Sequence, residues 1–211
     1  MAVLVREQII ERMKSGDIAF TPQIDSFQFQ MHAIDLRIGF TFLVTKLWQL
    51  TEQGRVALRA DHLDRGRGHF DVVELEEGQY FEVLPNEFVV VSTLEKITMP
   101  KDLMGILYPR SSVNRQGLSV DLSGIIDAGY EGTLVIPVRN NTPGQVVRIY
   151  PGERFCQVVF QTLDQKTEFK ESRYHNKDIT QGVLKERDTT ETDFIRKGDI
   201  KGLKAKFPVE I

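Results

Sequence analysis

Ser123-Gly124-Ile125-Ile126-Asp127-Ala128-Gly129-Tyr130-Glu131-Gly132 joins two β-rich runs of this 211-residue chain through one turn. An apolar run ends at Asp127, Ala128-Gly129 turns the chain, and a second run resumes over 132–138. That pattern places a carboxylate at the end of a strand. The plainer alternative is a turn aspartate bonding its own backbone, with Tyr130 as an ordinary core aromatic.

Outward from this hairpin the pattern stays short and β-rich. Further strands are predicted at 34–44, 56–58, 70–73, 80–84, 88–94, 104–107, 117–120, 145–149 and 155–161. Pro85-Asn86, Pro143-Gly144 and Pro151-Gly152 are the turn signals between several of them. Many short strands of this kind suggest a mainly β barrel or jelly-roll sandwich. A short N-terminal helix is expected over 5–15, with Ile9, Ile10 and Met13 on one face and Gly16 as its stop. The expected organisation is a β domain over 1–166 and a polar C-terminal arm over 167–211, read as extended or mobile. That arm is either a solvated terminus or a segment that closes over a ligand.

Hydrophobic residues make up 41% and charged residues 27%, the balance of a globular protein. A formal net charge of -3 provides no global basic field, which argues against a nucleic-acid partner but leaves a small polyanion open. Cys156 is the single cysteine, so an intrachain disulfide and a cysteine-built zinc site are excluded. No apolar run reaches the roughly 20 residues a bilayer span needs, and Met1 to Arg12 lacks the apolar core of a signal peptide. The expectation is a cytoplasmic protein without a membrane partner.

Two more stretches carry chemistry. Pro109-Arg110-Ser111-Ser112-Val113-Asn114-Arg115-Gln116-Gly117 gathers two guanidinium groups and two hydroxyls beside a glycine. Those are the donors that cradle phosphate oxygens, although such runs also occur in plain loops. Gln157, in Pro151-Gly152-Glu153-Arg154-Phe155-Cys156-Gln157-Val158-Val159-Phe160, is an amide on a strand entering the core and needs hydrogen-bond partners there.

Together, in this order and spacing, the three stretches resemble the dCTP deaminase/dUTPase superfamily. Ile34-Asp35-Leu36-Arg37-Ile38-Gly39 is similar to that group's early strand motif, and Lys177 and Gln181 to a pair in the deaminases' C-terminal arm. The resemblance implies a distorted jelly-roll or β-barrel of the dUTPase type and a homotrimer with sites shared between subunits. It also implies a deoxynucleoside triphosphate, dUTP or dCTP, as substrate, with Mg2+ chelated to the triphosphate and met by Asp35 through water. Asp127 matches the water-activating aspartate of dUTPases, Tyr130 the aromatic under the sugar, and Arg110, Ser112 and Gln157 phosphate contacts. Ser111 and Arg115 fit the deaminase pattern, and Asp121 and Ser123 fall in the hairpin that reads the base. Deaminases of the family place a proton-shuttling glutamate five residues after the hairpin's closing glycine, and here that position is Pro137. Proline cannot titrate. The resulting expectation is a dUTP diphosphatase, dCTP being a further substrate. The alternatives are a dCTP deaminase or bifunctional enzyme, and a non-catalytic nucleotide-binding member.

Overall fold

The computed structural model describes residues 2–58, 70–121, 124–166 and 189–208. In chain order its elements are helix α1 (Arg6–Lys14), strand β1 (Ala19–Thr21), a 3-10 turn (Ser26–Gln28), β2 (Ile34–Thr45), β3 (Trp48–Thr51) and β4 (Gly54–Ala57). Next come β5 (Phe70–Glu74), β6 (Phe81–Val83), β7 (Phe88–Thr98), β8 (Leu103–Pro109), helix α2 (Ser111–Arg115) and β9 (Leu118–Val120). The chain continues through β10 (Ile125–Ile126), β11 (Glu131–Asn140), β12 (Val147–Ile149), β13 (Arg154–Thr162), α3 (Thr189–Arg196) and α4 (Ile200–Lys206). Two compact units result, one from 1–45 with 70–180 and one from 46–69 with 181–211.

The first unit is a curled antiparallel sheet in the order β10-β8-β13-β2-β7-β11-β9, with β1 added on β7 and β5 on β2. Alternation decides which face packs. Leu103, Gly105 and Leu107 of β8 are buried, whereas Met104, Ile106 and Tyr108 between them are not. The core runs from Ile9 of α1 through Ile34, Leu36, Phe42, Val91, Ile136, Phe155 and Phe160. Phe42 stacks on Phe81 with ring centroids 4.7 Å apart. In β7, residues Val89 to Thr93 are buried without a break, because Leu43 and Val90 form a second apolar cluster.

The mainly β architecture and the short N-terminal helix are as the sequence predicts. Three strands escape the sequence pattern: β1 and β10 are too short to show a period, and β3 alternates against no buried face. Ser111–Arg115, to which the sequence pattern assigns no element, is a one-turn helix. Pro137 sits within β11, between Val90 of β7 and the end of β9. Its carbonyl accepts from the Asp121 N–H at 3.0 Å, so its missing N–H faces the end of β9 and costs at most one ladder bond.

In the second unit, β3 and β4 pair as a hairpin, with Arg55 lying over the Trp48 ring. Where an extended arm is expected, residues 189–206 form two helices instead. The carboxylate of Asp199 caps α4 by accepting from Gly202 N–H at 2.9 Å. No helix among the described residues is long and apolar enough to cross a membrane.

Candidate active site

Strand register brings three arginines to one cavity. Arg37 of β2 stands opposite Arg154 of β13, and a bulge between Arg154 and Cys156 shifts the pairing so that Gln157 faces Asp35. Arg110 ends the β8 run and precedes α2. These side chains line a cavity of about 470 Å³ together with Ser112, Val113, Gln116, Pro151, Gly152 and Glu153.

Like charges directly opposite on neighbouring strands repel, and each of the three arginines is held by an anion. Arg37 pairs with Asp25 at 2.7 Å and donates to the Gly152 carbonyl. The Oδ2 atom of Asp35 takes Arg110 Nε at 3.1 Å, Arg154 Nη1 at 3.2 Å and the Gln30 amide at 3.1 Å. Arg110 also reaches the Arg154 carbonyl, and Arg154 that of Phe27. Asp35 is 1% exposed, and burial pushes its carboxyl above the usual range against the pull of Arg110 and Arg154.

Behind this row lies a second buried carboxylate. Glu95 accepts from the Gln28 amide at 2.7 Å and from the Arg37 N–H at 2.9 Å. Burial raises its pKa, opposed by those hydrogen bonds and by the charge of Arg37. Gln28 also donates to the Asp35 carbonyl, so the backbone of β2 is anchored behind the cavity.

Asp127 is at the other end of β8. It follows Ile126, whose partner is Gly105, whereas Arg110 follows Pro109 at the strand's far terminus. At the rise of an extended chain the two positions are about 20 Å apart. The Asp127 side chain is exposed and its carbonyl accepts from Tyr130 N–H, closing the turn that Gly129 completes with φ 78. Tyr130 is buried; its hydroxyl donates to the Thr133 carbonyl at 2.9 Å, and burial pushes its pKa up to about 12. The stretch thus holds a core tyrosine and an aspartate that closes its turn through its backbone carbonyl, with the carboxylate presented outward at a strand end.

Arg110 and Ser112 line the cavity, and Gln157 lies half-buried on the strand beside Asp35. Ser111 and Arg115 are exposed on α2 and do not line it. Asp121 is exposed opposite Pro137. Ser123, Lys177 and Gln181 lie outside the described residues. Arg37 and Arg154 are the site residues that motif reasoning quoted without a role. The available signal was charge on strands whose neighbours are apolar, which demands partners.

Oδ2 of Asp35 is surrounded by guanidinium and amide donors, and Oδ1 is buried without a hydrogen-bond partner, so within this chain the carboxylate is turned to the arginines rather than to solvent. Among the described residues no group of three His, Cys, Asp or Glu side chains forms a metal site.

Comparison with known proteins agrees with the fold. A family model described as dCTP deaminase-like matches residues 3–163, and the chain belongs to that family. A "dCTP deaminase, dUMP-forming" of Methanobrevibacter smithii is 32% identical over 170 residues, covering 77% of this chain and 81% of that protein. A protein of the same description from Dictyoglomus thermophilum is 32% identical over 181 residues, covering 82% and 90%. The crystal structure of 2'-deoxycytidine 5'-triphosphate deaminase from Agrobacterium tumefaciens aligns with a TM-score of 0.57 at 20% identity. This chain spans 47% of the length of that one, and 76% of this chain is covered.

Proposed function

We propose that the protein hydrolyses a pyrimidine deoxynucleoside triphosphate, dUTP foremost, to the monophosphate and pyrophosphate. The observation that carries this is the convergence of Arg37, Arg110 and Arg154 with Ser112 on one cavity. Guanidinium groups fixed in advance match phosphate oxygens and stabilise the charge that gathers on departing pyrophosphate. Relatives whose name includes "dUMP-forming" support a product stripped of two phosphates.

In the proposed step a water oxygen bonds to the α-phosphorus and the bond to the bridging α–β oxygen breaks. Asp127 takes the water proton, and pyrophosphate leaves against the arginines. Within one chain the roughly 20 Å between Asp127 and Arg110 is too long for this. The reading therefore includes a homo-oligomer, a trimer by resemblance, in which Asp127 of one copy faces the arginine cavity of another.

Co-expression tests both parts at once. Arg110→Ala and Asp127→Asn each abolish release of pyrophosphate from the Mg2+–dUTP complex when expressed alone. Mixed oligomers of the two recover activity, roughly a quarter of wild type for random pairing at equal amounts. No recovery, together with a monomeric mass, would sink the shared site. Tight dUTP binding with no product from the wild-type protein would favour the non-catalytic alternative.

A second reading, deamination of dCTP, is favoured by one feature of the sheet. Asp121 lies opposite Pro137, its N–H on the proline carbonyl, so its carboxylate shares a face with the position where the family's glutamate is absent. Ammonia release from dCTP distinguishes this from hydrolysis alone.

A further inference from the structure

We infer that Asp35 is a positioning residue, the internal counter-ion that clasps Arg110 and Arg154 and aims them into the cavity, rather than a contact for a metal ion. The inference rests on the proposed phosphate role of that cavity. The geometry assigns the carboxylate a different duty from the one the resemblance implies. A single oxygen, Oδ2, receives three donors from three separate segments: Gln30 before β2, Arg110 after β8, and Arg154 at the start of β13. Those segments are far apart in sequence, and the carboxylate is the point at which they meet.

Burial explains why the clasp is rigid. Asp35 is 1% exposed, while the arginines are 25% and 28% exposed at their side chains. The anion is therefore sealed beneath and the cations face outward. Two guanidinium groups around one carboxylate leave an excess of positive charge turned toward the cavity, with the angle of each group set from behind. Oδ1 is closed to solvent and has no hydrogen-bond partner, so all three donors fall on the other oxygen.

Removing the charge while keeping the shape separates the possibilities. Asp35→Asn leaves the arginines in place but untethered and uncompensated. Inorganic pyrophosphate, titrated calorimetrically into the full-length protein in EDTA, is expected to bind the variant at least about fivefold tighter, because an anion now meets one more net positive charge. The same variant loses dUTP turnover through kcat, because the phosphates are no longer held at a fixed angle. The Mg2+ concentration giving half-maximal turnover stays as in wild type.

Unchanged metal-free pyrophosphate affinity with a raised Mg2+ requirement would overturn the inference in favour of a metal contact. A lower melting temperature with unchanged affinity would overturn it in favour of a merely structural role. Weaker binding by the variant, or no binding by the wild-type protein, would overturn it as well. If Asp35→Asn does not fold, Arg154→Gln serves: removal of one clasped cation weakens pyrophosphate binding about tenfold or more, and wild-type affinity there overturns the inference. Absence of dUTP turnover with pyrophosphate still bound sinks the hydrolase reading alone.

Discussion

Strand β8 ends in two unlike ways. At its C-terminal end Arg110 joins Arg37 and Arg154 in a set of cations, each tied to a carboxylate (buried Asp35 for Arg110 and Arg154, exposed Asp25 for Arg37) and to a carbonyl. Near its N-terminal end Asp127 projects from a glycine turn, exposed, with its backbone alone held in place. The first end gathers its cations within a single chain. On the proposed reading, the carboxylate at the second end meets a phosphate only when another copy brings one to it.

The largest expected effect sits at the bare end. Asp127→Asn lowers dUTP turnover by at least about 100-fold, the lower bound for a lost general base. Pyrophosphate affinity at the arginine end stays within about twofold, as measured by calorimetry. A matching loss of affinity would mean that the two ends are not separate. Next, Arg110→Gln weakens pyrophosphate binding by about 10- to 100-fold, corresponding to about 1.5–3 kcal/mol for a charge-assisted hydrogen bond. Wild-type affinity in that variant would remove Arg110 from the cavity's function.

A smaller effect probes the strand between the ends. A Cβ on Gly105 would stand 2.9 Å from Val158 Cγ2 and 3.2 Å from Ile126 Cβ. Gly105→Ala should therefore cost about 1–3 kcal/mol in stability, measured by denaturant unfolding. It should also disturb β10, and with it turnover, more than pyrophosphate binding. Equal damage to both would tie the ends together mechanically.

The smallest effect concerns Glu95, behind the arginine end. Its folded-state pKa is raised by burial, so its contribution to stability is full below the ordinary carboxylate pKa and is lost as pH rises through the raised value. The melting temperature of the wild-type protein should fall more steeply over that rise than that of Glu95→Gln. Parallel curves would show that Glu95 does not carry the buried charge.

The parts of the candidate site that were legible are local. Arg110 with Ser112, the turn after Asp127, and the Asp35 strand each declare themselves within a few residues. The clasp was not legible. It depends on the register of β13 against β2 and on the bulge after Arg154, which sequence spacing does not encode. The helical turn of α2 was hidden for a similar reason: five polar-rich residues carry no period. The helices at 189–206 were obscured by dense charge, which resembles a solvated tail until a cap such as Asp199 is seen in place.

By itself the sequence determined the mainly β class, the glycine turn that follows Asp127, the cationic run at Arg110 and the untitratable proline at position 137. Each follows from side-chain chemistry or from a period read over a few neighbours. Only the tertiary structure decided that Asp127 and Arg110, close in sequence, lie at opposite ends of one strand. β10 runs back antiparallel along β8, so each residue along it carries the chain, and the carboxylate that follows it, farther from the arginines.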